Sequence, residues 1–146
     1  MGFLCEHGKG VPKHEAEAAE WYRKAAVQGD AQAQCNLGVL CDQGIGVAQS
    51  DGEAVKWYLK AADQGHERAM ANLGIMYEDG KGVPQSDAEA VKWYRRAADL
   101  GSAPAMGFLG AMYGRGAKDV PRDAAASLHW LRHERARKAL ALAPIL

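Results

Sequence analysis

Leu73-Gly74-Ile75-Met76-Tyr77-Glu78-Asp79-Gly80-Lys81-Gly82-Val83-Pro84, followed by Ala90-Val91-Lys92-Trp93-Tyr94-Arg95-Arg96-Ala97-Ala98, is a phrase this chain repeats. Thirty-six residues earlier stand Leu37-Gly38-Val39-Leu40-Cys41-Asp42-Gln43-Gly44-Ile45-Gly46-Val47 and then Ala54-Val55-Lys56-Trp57-Tyr58. Another thirty-six residues back, Met1-Gly2-Phe3-Leu4-Cys5 leads to Gly8-Lys9-Gly10-Val11-Pro12 and to Trp21-Tyr22. Downstream, Leu109-Gly110-Ala111-Met112-Tyr113 leads, after one inserted residue, to Val120-Pro121 and Trp130. A fixed period of this length marks a solenoid, in which each unit buries its apolar face against its neighbours. The expected fold is therefore all-α, an α/α superhelical solenoid of helix-turn-helix repeats.

Each unit reads as two helices. The first spans about 31–43, 67–79 and 103–115, with apolar positions Ala33, Leu37, Leu40 and Cys41 and their equivalents at helical spacing. The second spans about 15–28, 51–64, 87–100 and 123–142. Its inward face is Ala18, Tyr22, Ala25 and Ala26, then Ala54, Tyr58, Ala61 and Ala62, then Ala90, Tyr94, Ala97 and Ala98. Asp30 and Ser102 are natural N-caps, and Ser50-x-x-Glu53 and Ser86-x-x-Glu89 read as capping boxes. Gly29, Gly65 and Gly101 stop the second helices as C′ glycines do. Gly38, Gly74 and Gly110 recur inside the first helices, where each costs roughly 1 kcal/mol against alanine. A repeated cost at one position implies close helix–helix contact there.

One repeat domain covers 1–146: a truncated first repeat (1–28), repeats 29–64 and 65–100, and a last repeat with a C-terminal capping helix (101–146). Aligned on Trp130, the Ala-Ala position of the last unit is filled by Glu134 and Arg135, which is how a terminal helix closes a stack. That helix is expected to bury Leu128, Leu131 and Leu140.

The pattern Leu-Gly-x-x-Tyr-x-x-Gly-x-Gly-Val, then Ala-x-x-Trp-Tyr-x-x-Ala-Ala-x-x-Gly, resembles the Sel-one-like repeat, a relative of the tetratricopeptide repeat. Residues 29–64 and 65–100 match it almost fully, and 1–28 and 101–130 match in part. The resemblance implies a bacterial protein-interaction scaffold that binds a peptide or protein segment on its concave face, lined by the first helices. It also brings two alternatives: a hydrolase acting on cell-wall or β-lactam-like substrates, and a structural spacer within a larger protein.

Residue chemistry points away from catalysis. Gly-x-Gly at Gly8, Gly44 and Gly80 follows a helix and is periodic, so it reads as turn geometry and not as a dinucleotide fingerprint. His129 and His133 share a helix face, but Trp130 stands where a zinc-protease glutamate is needed and no third ligand is apparent. No Ser/His/Asp, Cys/His or paired-carboxylate pattern recurs, so no enzyme activity, cofactor or metal is expected. The tryptophans and Tyr22, Tyr58 and Tyr94 read as helix packing and not as a ligand ladder.

Net charge is zero, leaving no footprint for nucleic acid. Residues 1–114 carry 11 basic and 15 acidic side chains, and 115–146 carry 7 and 3, so the tail is basic. No apolar run approaches the ~20 residues of a membrane span. Three cysteines give no disulfide framework and read as reduced thiols. Exposed terminal helices offer a route to a homodimer. The expected binding wall consists of first-helix positions off the core face: Gln32, Asn36, Val39 and Gln43, then Arg68, Asn72, Ile75 and Asp79, then Phe108 and Arg115. Cys35, Ala71 and Ala111 are expected on the same wall. Asp42 and Glu78, near the ends of first helices, read either as groove residues or as solvated ones.

Overall fold

The computed structural model describes residues 11–117 and 119–142. Its helices are α1 (Val11–Val27), α2 (Ala31–Gln43), α3 (Asp51–Asp63), α4 (Glu67–Asp79), α5 (Asp87–Asp99), α6 (Ala103–Arg115) and α7 (Ala124–Leu142). Each unit thus supplies the expected pair. α1 begins earlier than the expected residue 15, at Val11. The opening of the truncated first repeat, residues 1–10, lies outside the described residues. Among the described residues the only β feature is an isolated bridge between Ala117 and Val120 in the α6–α7 turn, where the inserted residue falls.

Capping follows the sequence closely. Asp30 accepts from Ala33 N at 2.8 Å, and Ser102 accepts from Ala105 N at 3.3 Å. Ser50 and Ser86 accept from Glu53 N and Glu89 N at 3.2 and 3.1 Å. The second half of each expected capping box is replaced. The Ser50 amide goes to Cys41 O at 2.8 Å, and the Ser86 amide goes to Tyr77 O at 2.9 Å. Asp123 N repeats this bond to Tyr113 O at 2.8 Å. The residue that precedes α3, α5 and α7 is thereby tied back to the last turn of the helix before it. Glu53 and Glu89, released from the box, pair with Lys56 and Lys92 on the solvated face.

Two compact units divide the chain, the first ending at Ala69 and including Lys81–Val83, the second made of Met70–Gly80 and the residues from Pro84 on. In the first unit α2 packs against α1 and α3. Ala54, Tyr58, Ala61 and Ala62 are all buried, as is Leu37. Burying a leucine in this way is worth roughly 1.5–3 kcal/mol. A Cβ placed on Gly38 would stand 2.6 Å from Tyr58 Cε1, so the glycine is the seat of the tyrosine ring. Because α2 is packed on two sides, it buries two strips. Cys35, expected on the open wall, is fully buried at 0 % exposure. Cys35 and Cys41 are free thiols, and burial is the main force pushing both pKa values up.

In the second unit the same seat recurs between Gly74 and Tyr94, and α6 packs against α5 and α7. Ala90, Tyr94, Ala97 and Ala98 are buried around it. Ala71, also expected on the wall, is buried. The last pair keeps the glycine seat but fills it differently. Leu131 takes the tyrosine's place, with Cγ 2.6 Å from where a Gly110 Cβ would be. Glu134, in the alanine position, lies against Gly107, which stands where Cys35 and Ala71 stand in the earlier units.

The expected burial of Leu128, Leu131 and Leu140 is corrected: they are 53, 38 and 72 % exposed. α7 turns Ser127, Trp130 and Glu134 toward α6, and Ser127 Oγ donates to Gly110 O at 2.7 Å. At 3.6 residues per turn, Leu128 and Leu140 then sit roughly 120° away from the packed line.

Candidate interaction surface

Eleven of the thirteen expected wall residues reach the surface; Cys35 and Ala71 do not. Gln32, Gln43, Arg68, Asp79, Phe108 and Arg115 are exposed, and Asn36, Val39, Asn72 and Ile75 are half-buried. The structure brings them together in two groups, one in each unit.

In the first unit the wall is organised by a residue that sequence reading missed. His66 caps α4: its Nδ1 accepts from Ala69 N at 3.2 Å. The ring's other nitrogen, Nε2, lies 3.0 Å from Gln32 Oε1. Gln32 Nε2 then donates to Asn36 Oδ1 at 3.1 Å. The Asn36 bond runs within α2, and Gln32 is the residue that reaches across to His66. The available signal was positional: His66 occupies the place of Asp30 and Ser102. Beneath this chain, buried Gln34 donates to Ala26 O at 3.0 Å and accepts from Gln64 Nε2 at 2.9 Å, joining α1 to the end of α3.

Burial lowers the His66 pKa first, and Arg68 lowers it further, against the opposing pull of Glu67 and Asp30. The sign of the linkage follows. A depressed imidazole pKa means the unfolded chain takes up the proton first, so the cap's contribution is complete above the unfolded value, about 6.5, and is lost as pH falls through the folded one. The urea midpoint is expected to drop between pH 8 and pH 5 by more than in His66→Asn, whose amide caps without titrating. Equal drops in the two proteins would remove His66 from the account.

The acidic positions are committed. Asp42 is ion-paired with Lys81 at 2.8 Å, across a sequence separation of 39. Glu78, its repeat equivalent, accepts from the Tyr94 hydroxyl at 2.8 Å and from the Arg115 guanidinium at 3.0 Å. Burial, followed by the bond to Glu78, pushes the Tyr94 hydroxyl far above its usual pKa. Arg115, an expected binding residue, therefore already serves Glu78. Phe108 tilts against Tyr94 with ring centroids 5.1 Å apart and keeps one side in solvent.

The second helices carry a different, periodic surface. Lys24 lies over Trp21, Lys60 over Trp57 and Arg96 over Trp93, at 5.0, 4.7 and 4.5 Å. Cation–π contacts are worth roughly 0.5–1 kcal/mol at exposed sites such as Trp21, and more over a buried ring such as Trp57. Trp57 and Trp130 are buried, as packing residues should be, while Trp21 is 70 % exposed. On α7 the His129 and His133 rings lie 4.2 Å apart, and His133 Nδ1 donates to His129 O at 2.7 Å. Among the described residues no set of three metal-binding side chains converges, and no helix is long and apolar enough to cross a membrane.

These paired helices, repeated with one spacing and one packing seat, define an all-α helical-repeat protein of the solenoid class. The Sel1 repeat model matches residues 1–30, 31–66, 67–102 and 103–132, and the chain belongs to that family. Among solved structures it is similar to c5321, a protective antigen of uropathogenic Escherichia coli strains with an SLR fold: 40 % identity, TM-score 0.81, over 92 % of this chain and 29 % of that one. It is also similar to a Sel1 repeat protein from Oxalobacter formigenes, at 34 % identity and TM-score 0.80 over 93 % of this chain and 55 % of the other. The cysteine-rich protein B of Helicobacter pylori shares 28 % identity at TM-score 0.59, over 62 % of this chain and 68 % of that one. The chain spans about a third to a half of the length of the first two. A comparison with curated proteins returns no match. Sel1 repeat proteins are generally protein-interaction scaffolds, and the fold is typically non-catalytic.

Proposed function

We propose that this chain binds a peptide or protein segment along the wall of its first helices, the concave face of the repeat, with the equivalent positions Asn36, Asn72 and Phe108 as the floor. The observation that carries the reading is a contrast between faces. The outer surface of the second helices carries its charges in the Glu53–Lys56 and Glu89–Lys92 pairs and in the cation–π contacts. The first-helix wall mixes amides, half-buried Val39 and Ile75, and an aromatic ring. Such a mixture of apolar area and amide hydrogen-bonding groups suits a main chain with small side chains.

The test is a peptide selected from a displayed random library against the chain. Asn36→Ala combined with Asn72→Ala is expected to weaken that peptide by roughly 1–3 kcal/mol, the cost of hydrogen bonds lost from a desolvated contact. Unchanged affinity with lowered thermal stability would make the row structural and place the binding surface elsewhere.

A further inference from the structure

The bond sequence from α4 to Asn36 has a direction. It begins at the Ala69 amide, which can only donate, so His66 Nδ1, 3.2 Å away, carries a lone pair. A neutral imidazole with a bare Nδ1 has its proton on Nε2. That N–H meets Gln32 Oε1 at 3.0 Å, which leaves Gln32 its amino end for the other partner. Gln32 Nε2 donates to Asn36 Oδ1 at 3.1 Å. Asn36 thus spends its acceptor inward. Its two Nδ2 hydrogens have no partner among the described residues and belong to a half-buried wall position.

We infer that His66 and Gln32 are positioning residues that hold Asn36 as a pure hydrogen-bond donor, so that the wall takes an acceptor oxygen at this point, from a main-chain carbonyl or a carboxylate. The inference rests on the binding-wall reading and adds a polarity to it. A free asparagine turns its amide to suit either a donor or an acceptor; one whose oxygen is already engaged loses that choice. Arg68, which acts electrostatically on Cys35, Tyr58 and His66, brings a positive charge to the same neighbourhood and favours the same oxygen. The polarity survives protonation of His66, because imidazolium still donates from Nε2; only the cap on Ala69 is lost.

Nitrogen-15 NMR of the whole chain tests this without a natural partner, so its failure is separable from failure of the peptide selection. At pH 8 the ring shifts of His66 are expected to report the Nε2–H tautomer. Titration with N,N-dimethylacetamide, a mimic of the main-chain carbonyl without an N–H, or with acetate is expected to move the Asn36 side-chain NH2 signals. Gln32→Glu is the decisive variant. A glutamate can accept from His66 Nε2 but cannot donate to Asn36 Oδ1, so Asn36 turns and donates inward. In that variant the response to neutral N,N-dimethylacetamide, which has no N–H to give to an outward Oδ1, is expected to fall at least tenfold. A response to acetate alone in the parent assigns the acceptor to a carboxylate, and a response to both assigns it to a main-chain carbonyl. An Nδ1–H tautomer, no response to either probe, or equal responses in parent and Gln32→Glu would overturn the inference.

Discussion

Gly82→Ala is expected to destabilise the first unit by about 2–5 kcal/mol, from two additive sources. Gly82 has a φ of +73°, a conformation that costs an L-residue with a Cβ roughly 1–2 kcal/mol. The new Cβ would also stand 2.6 Å from the carbonyl oxygen of Asp51, and a backbone atom cannot swing aside as a side chain can. The loop after α4 rests on the start of α3 at this point, and the neighbouring Lys81 reaches Asp42 from the same loop. Gly65→Ala separates the two sources. Its φ is +84° with nothing within 4 Å of the added Cβ, so it should cost only the backbone part, about 1–2 kcal/mol. Denaturant titrations of the two variants that gave equal losses would show that the loop contact carries no weight.

Gly74→Leu should lower stability by about 1–3 kcal/mol through overpacking, partly offset by about 1 kcal/mol of helix propensity gained on losing a glycine. Even the Cβ would meet the Tyr94 ring. That ring has no freedom to retreat: it is 1 % exposed, and its hydroxyl is held by Glu78 at 2.8 Å. Gly52→Ala is the matched control, since a Cβ there has open space and the change should be neutral or stabilising by a few tenths of a kcal/mol. A melting temperature for Gly74→Leu equal to that of the parent would mean the small residue is not what seats the tyrosine.

What was legible in the sequence was whatever repeats or acts locally. The period of 36 placed every helix pair, because the same small and large residues return to the same azimuth each time. Gly38 and Gly74 announced close contact before their partners were known, since a helix does not keep a glycine cost without a return. The caps at Asp30, Ser50, Ser86 and Ser102 were legible because a cap spans three residues. Eleven of the thirteen wall residues reached the surface because helical periodicity separates most of a packed strip from an open one.

The tertiary structure decided whatever depends on a second neighbour. A pattern counted along one helix assumes one buried face; α2 has partners on two sides, so Cys35 went inward and the wall lost a member. Leu128 and Leu140 are leucines on a helix with little amphipathic pattern, and only the position of α6 says which azimuth of α7 is covered. Glu78 looked solvated until Tyr94 and Arg115, 16 and 37 residues away, were brought to its two oxygens. His66 was invisible as a cap because histidine is not a usual N-cap residue, and its link to Gln32 crosses 34 residues. Sequence periodicity specifies which face of a helix is apolar; which polar atoms on the other face find one another is set by distances between helices, and those exist only once the repeats have stacked.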